Sequence, residues 1–146
     1  MNMKHFLIVG LFMALTGCAA QQQTGSFVPN WPYSQSVADD TIKQMGILFP
    51  PASTRLEFAQ VEKRDSYGKA LISGLRTAGY AVAEVPAASR PGAGVGRIEY
   101  VLDQPEGTNI YRLVLKIGPS ATLTRPYVVA TNDRLYPAGA WLFRED

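Results

Sequence analysis

DSYGKALISGLRTAGYAVAEV, residues Asp65 to Val85, changes hydrophobic period partway along. Tyr67, Leu71, Leu75 and Ala78 recur at helical spacing, and Lys69, Ser73, Arg76 and Thr77 fall on the opposite face. After Gly79 the run Tyr80–Val85 reads as a strand. Asp65 stands at the N-cap, where a carboxylate accepts from amides of the first turn. Gly79 suits the left-handed residue that ends a helix. Gly68 and Gly74 each cost about 1 kcal/mol relative to Ala inside a helix, so close packing against a sheet is the expected reason for them.

Upstream, Thr54–Gln60 alternates, with Leu56 and Phe58 one way and Arg55 and Glu57 the other, which predicts a strand. Before it, Ser36–Leu48 predicts a helix with Val37, Thr41, Met45 and Leu48 on its buried face. Ser36 and Asp39 have capping-box spacing, and Asp39 and Asp40 suit the positive end of the helix dipole. Capping accounts for this acidic pair better than a metal site does. Pro50-Pro51 stops the helix.

Downstream lies a loop, Pro86–Gly96. Its Gly92-Ala93-Gly94-Val95-Gly96 resembles a phosphate-binding loop only superficially, because a strand follows and no Gly-Lys-Ser/Thr is present. A β-meander comes next. Arg97–Asp103 places Ile98, Tyr100 and Leu102 on one side. Asn109–Ile117 turns Tyr111, Leu113, Leu115 and Ile117 inward, and sets Ile110 and Val114 outward with Arg112 and Lys116. Ala121–Thr131 contains Pro126, a mark of an edge strand or a bulge. Ala140–Arg144 reads as a short last strand anchored by Trp141 and Phe143. The expected fold is α+β, a single domain over 34–146. Two helices pack on one face of a mainly antiparallel sheet of about five strands, after a signal peptide and flexible tether.

Lys4 and His5 precede the apolar run Phe6–Leu15, which is shorter than the about 20 residues needed to span a bilayer. Residues 1–17 therefore read as a secretory signal peptide. Leu15-Thr16-Gly17-Cys18 resembles a bacterial lipobox. The resemblance implies cleavage between Gly17 and Cys18, a diacylglyceryl thioether on Cys18 and a third acyl chain on the new amino group. Two or more chains hold a protein stably, so membrane lipid is an expected partner through Cys18. Ala19 stands where an Asp would resemble an inner-membrane retention signal, so the expected location is the periplasmic face of the outer membrane. Residues 18–33 read as a lipidated tether and extended segment: a polar tether, Ala19–Ser26, then Phe27-Val28-Pro29-Asn30-Trp31-Pro32-Tyr33. Two readings fit the aromatics. Either Trp31 and Tyr33 fold back on the domain as a lid, or Phe27, Trp31 and Tyr33 dock into a partner protein.

Removing the first 17 of 146 residues leaves 129, with 13 basic residues against 12 acidic ones and no basic block, so nucleic acid is not an expected partner. The one cysteine is Cys18 and the one histidine is His5. The remaining chain offers no disulfide, no His-based triad and no zinc site of the usual kind. No metal, cofactor or small-molecule substrate is expected, and enzymatic activity is not. Carboxylate catalysis would rest on Glu57 and Glu99, but both alternate with inward apolar residues and read as charges on a wet face.

The lipobox, the helix near Ser36–Leu48, the segment Asp65–Val85, the strand Arg97-Ile98-Glu99-Tyr100-Val101-Leu102-Asp103, Tyr111-Arg112-Leu113 and Arg125-Pro126-Tyr127 together resemble the TrbH family of conjugal-transfer lipoproteins. The resemblance covers most of the chain from Val37 onward. It implies a structural or assembly component of the mating-pair formation apparatus, a type IV secretion system, with other secretion-channel subunits as partners. Phe27, Trp31, Tyr33, Ile110 and Val114 are the candidate contact residues. The alternative is a periplasm-facing lipoprotein that binds peptidoglycan or a small ligand without catalysis.

Overall fold

The computed structural model describes residues 24–28 and 31–145. The expected signal peptide, Gly17 and Cys18 lie outside the described residues. The elements in order are β1 (Gly25–Ser26), α1 (Ser34–Leu48), a 3-10 turn (Pro51–Ser53), β2 (Arg55–Ala59), α2 (Ser66–Thr77), β3 (Ala81–Val85), β4 (Val95–Asp103), β5 (Ile110–Ile117), β6 (Ala121–Val129), β7 (Leu135–Pro137) and β8 (Leu142–Glu145).

The α+β class and the two helices are as expected. The sheet is not. It has 8 strands in the order β3-β2-β4-β5-β6-β7, with β1 on β4 and β8 on β6. Both β3 and β4 run parallel to β2, and β1 runs parallel to β4, so half of the sheet is parallel. The reason lies in the connections. The helix α2 returns the chain to the start of β2, and the loop after β3 carries it back across β2 before β4 begins. Such crossovers give parallel neighbours, whereas tight turns give antiparallel ones. Only β4 to β7 form the expected meander, and β8 returns to pair with β6. The outer side of β6 is shared, with β7 paired to Tyr127–Val129 and β8 paired to Ala121–Thr124. Pro126 therefore lies in neither an edge strand nor a bulge. It sits between the two outer partners, in unbroken register with Arg112 of β5.

Two boundaries also shift. Gly25 and Ser26, expected as free tether, are part of the fold and pair with Val101 and Leu102, while Trp31 lies in the core, as the fold-back reading of the aromatics has it. Helix α1 begins at Ser34, with Tyr33 at the N-cap and no side-chain cap bond, so Ser36 and Asp39 do not form a capping box. Asp39 accepts instead from Gln35 Nε2 at 2.8 Å. The Asp65 cap is present, with Oδ1 accepting from the Gly68 amide at 2.8 Å.

One face of the sheet is covered. Leu56 and Phe58 of β2, Ile98, Tyr100 and Leu102 of β4, Leu113, Leu115 and Ile117 of β5, and Leu123 and Tyr127 of β6 are buried with Val37, Met45, Tyr67, Leu71 and Leu75 of the helices. Ile72 joins them, while Ala78, expected in the α2 stripe, is exposed. The helix glycines divide by what surrounds them. A Cβ on Gly68 would meet the Tyr100 hydroxyl of β4, as expected for packing against a sheet. One on Gly74 would meet Ile42 of α1, so that glycine serves helix–helix contact instead. Gly46 is exposed and has nothing within 4 Å of such a Cβ. Gly46→Ala is therefore expected to raise stability by about 0.5–1 kcal/mol, read as a higher midpoint in urea unfolding.

Candidate interaction surface

Residues paired in register share a face, so the strand pairing fixes what the sheet presents opposite its helices. Val114 of β5 aligns with Val101, Thr124 and, through β6, Leu142, giving one mostly apolar row across four strands. Ile110 aligns with Val128 and Tyr136 in a second. Between them Arg112 aligns with Asp103 and Pro126, and beyond Val114 lies a polar row of Glu99, Lys116, Thr122 and Arg144. Arg112 grips Asp103 through two bonds, Nε to Oδ1 at 2.9 Å and Nη2 to Oδ2 at 2.7 Å. That bond, and then the charge of Asp103, raise the already high pKa of Arg112. The face is thus striped, apolar rows alternating with polar ones, of which the Arg112–Asp103 row is neutralised internally. Ile110 is 40% exposed, Tyr136 42% and Leu142 66%, while Val101, Val114 and Val128 are half-buried.

The sequence pointed to Ile110 and Val114 but not to the residues that complete their rows. Leu142 was legible in principle, because it alternates with Trp141 and Phe143. Tyr136 was not, since the turn-rich stretch around it hides a three-residue strand.

The parallel half of the same face is covered by the chain itself. Arg97 donates from Nη1 to the Ser89 carbonyl and from Nη2 to Ser89 Oγ, each at 2.9 Å, and so holds the loop after β3 over the strands. The same Nη2 reaches Glu57 Oε2 at 3.2 Å. Glu57 is therefore committed to a cation on the neighbouring strand. Glu99 is exposed, two residues beyond Arg97 on β4. The pair does not form an acid and base facing a common cleft.

The aromatic segment divides in two. Trp31 is only 6% exposed; its ring lies 4.7 Å from Tyr111 and meets Tyr33 edge-on at 5.7 Å. Tyr33 donates to the Asp133 carbonyl at 2.9 Å. These two close over their own domain. Phe27 is 50% exposed, and its amide donates to the Leu102 carbonyl at 2.8 Å.

Two aspartates lock the layers together. Asp40, expected at a helix cap, instead accepts from Arg125 Nη1 at 3.0 and 2.8 Å and from the Tyr127 hydroxyl at 2.7 Å. Arg125 also donates to the Gly139 carbonyl at 3.0 Å and lies over Trp141, which ties the segment before β8 to α1. Asp65 accepts from the Tyr100 hydroxyl at 2.6 Å and from the Ser26 amide at 3.2 Å, which fastens β1 to α2. Burial first, and then the hydrogen-bonded carboxylate, push both tyrosine pKa values well above the ordinary value, so these hydroxyls stay protonated donors.

Among the described residues there is no cluster of three or more His, Cys, Asp or Glu side chains to hold a metal. None of the described helices is long and apolar enough to cross a membrane. An open groove of about 660 Å³ runs past Phe49, Arg55, Gly92, Gly96, Ile117 and Pro119 at one end of the sheet.

In comparisons with known proteins, a family profile described as "Conjugal transfer protein TrbH" matches residues 20–145. No curated protein and no solved structure matches the chain.

Proposed function

Because the chain belongs to the TrbH family of conjugal transfer proteins, we propose that it is an outer-membrane-anchored lipoprotein acting as a structural and assembly component of a conjugative type IV secretion apparatus. Family membership supports a part in conjugal transfer, consistent with a component of that secretion system. Acylated Cys18 holds it at the periplasmic face of the outer membrane, and the striped sheet face bearing Ile110 and Val114, with Phe27 from the N-terminal segment, contacts other secretion-channel subunits. The single observation that carries the contact surface is the apolar rows left uncovered on a sheet whose other face is packed. Contiguous exposed apolar surface marks interaction sites, and the fixed charges between the rows favour a partner with matching donors and acceptors.

Anchoring is tested at Cys18. Cys18→Ser is expected to abolish palmitate incorporation and outer-membrane fractionation, with unfolding by urea unchanged. Labelling that persists in the variant would place the lipid elsewhere. Affinity capture of the detergent-solubilised protein should recover subunits of the secretion apparatus, and their absence from such captures would count against the assembly role.

A further inference from the structure

Two strands lie end to end along one flank of β4. The strand β2 pairs with Val95–Ile98, and β1 pairs with Val101 and Leu102. A cleft opens between them, lined by Thr24 and Gly25 from the β1 side, by Phe58 and Ala59 of β2, and by Val61 and Lys63 of the loop that leads into α2. The Ser26 amide on Asp65 and the Phe27 amide on the Leu102 carbonyl fasten β1, so Thr24 has a fixed place beside this cleft. Thr24 stands six residues after Cys18 in the sequence, which allows at most about 20–22 Å of chain between them. A domain of this size is roughly 30 Å across. A leash shorter than the body it holds keeps the side around Thr24 toward whatever holds Cys18.

We propose that the loop Val61 to Lys63 rests in the headgroup layer of the bilayer that holds Cys18, an inference that rests on the acylation of that cysteine. The loop has interfacial chemistry. Val61 is 52% exposed, and Glu62 and Lys63 beside it are exposed as well. In the headgroup layer Val61 turns its side chain to the acyl boundary, Lys63 donates to lipid phosphates, and Glu62 accepts from the ammonium of ethanolamine headgroups. The striped face is then left for protein. Thr24 borders Val101 and Val114, where one apolar row starts, and the row runs across β4, β5 and β6 to Leu142 of β8. Strand spacing puts Leu142 about 19 Å from the lane of β1. The row therefore leads away from the membrane-facing flank.

The test places the acylated full chain in vesicles of phosphatidylethanolamine and phosphatidylglycerol that carry a nitroxide quencher on the headgroup. Cys18 is the one cysteine of the sequence, and acylation closes its sulfur as a thioether, so a single added cysteine takes a fluorophore alone. Quenching at Val61→Cys and at Lys63→Cys is expected to exceed that at Leu142→Cys by about threefold or more. Acylated, vesicle-bound protein quenched no more at residue 61 than at residue 142 would overturn the inference and leave the anchor standing; strong quenching at both would lay the striped face on the bilayer instead. Protein with no acyl chain on Cys18 that fails to float with the vesicles would overturn the anchor and the inference together. A residue 61 open to a water-soluble maleimide in vesicles, but shielded in cells that hold the transfer apparatus, would assign the loop to a protein partner and overturn the membrane contact.

Discussion

Asp40→Ala is expected to lower the stability of the domain by about 2–4 kcal/mol in urea unfolding. Arg125 and Asp40 are mostly shielded, with side chains 17% and 27% exposed. The substitution leaves a guanidinium and the Tyr127 hydroxyl without their common acceptor. Removing one partner of a fully buried pair costs about 3–5 kcal/mol, and the residual exposure here reduces that figure. Arg125→Ala should cost a similar amount and also free the segment around Gly139 and Trp141. The double variant should lose clearly less than the sum of the singles, because each single includes the penalty of the charge it orphans. A loss under about 0.5 kcal/mol for Asp40→Ala would mean that the latch is a surface pair of the ordinary weak kind.

Gly68→Ala should be nearly as damaging, in spite of alanine's advantage of about 1 kcal/mol in a helix. The new methyl group would overlap the Tyr100 hydroxyl and approach Arg64 Cγ at 2.9 Å. Tyr100 has little freedom to retreat, because its hydroxyl is held by Asp65 and its ring meets Tyr67 edge-on at 4.9 Å. Either α2 lifts from the sheet or the Tyr100–Asp65 bond opens, and Asp65, which also docks β1 through the Ser26 amide, then loses its tie to β4. A net loss of about 2–3 kcal/mol follows from overpacking and the lost bond together. Tyr100→Phe in the Gly68→Ala background should recover part of it by removing the atom in the way. A Gly68→Ala protein as stable as the parent would show that the helix–sheet spacing can relax.

Local features of this chain were legible from residues close in sequence. The Asp65 cap, the stripe of α2 and the alternation of β4 and β5 each declare themselves within a dozen residues. The parallel half of the sheet did not, because nothing in Leu56–Phe58 or Ile98–Leu102 states which strand will be the neighbour; the crossover lengths decide it. Asp40 was misassigned for a related reason. Its position near a helix start suggested capping, while its partners, Arg125 and Tyr127, lie 85 and 87 residues away. Ile110 and Val114 could be singled out because they interrupt the polar face of their strand. Their companions Val101, Val128, Tyr136 and Leu142 became visible only once the register was known.

The proposed role rests most heavily on the open face, and conjugal transfer measured in cells carrying Ile110→Arg/Val114→Arg probes it directly. Both side chains point away from the packed core, so the variant should accumulate and unfold like the parent. Its transfer frequency should nevertheless fall by about tenfold or more, as expected when charges enter the centre of a contact surface. Parental transfer by a folded, normally located variant would contradict the assignment of this face to subunit contact.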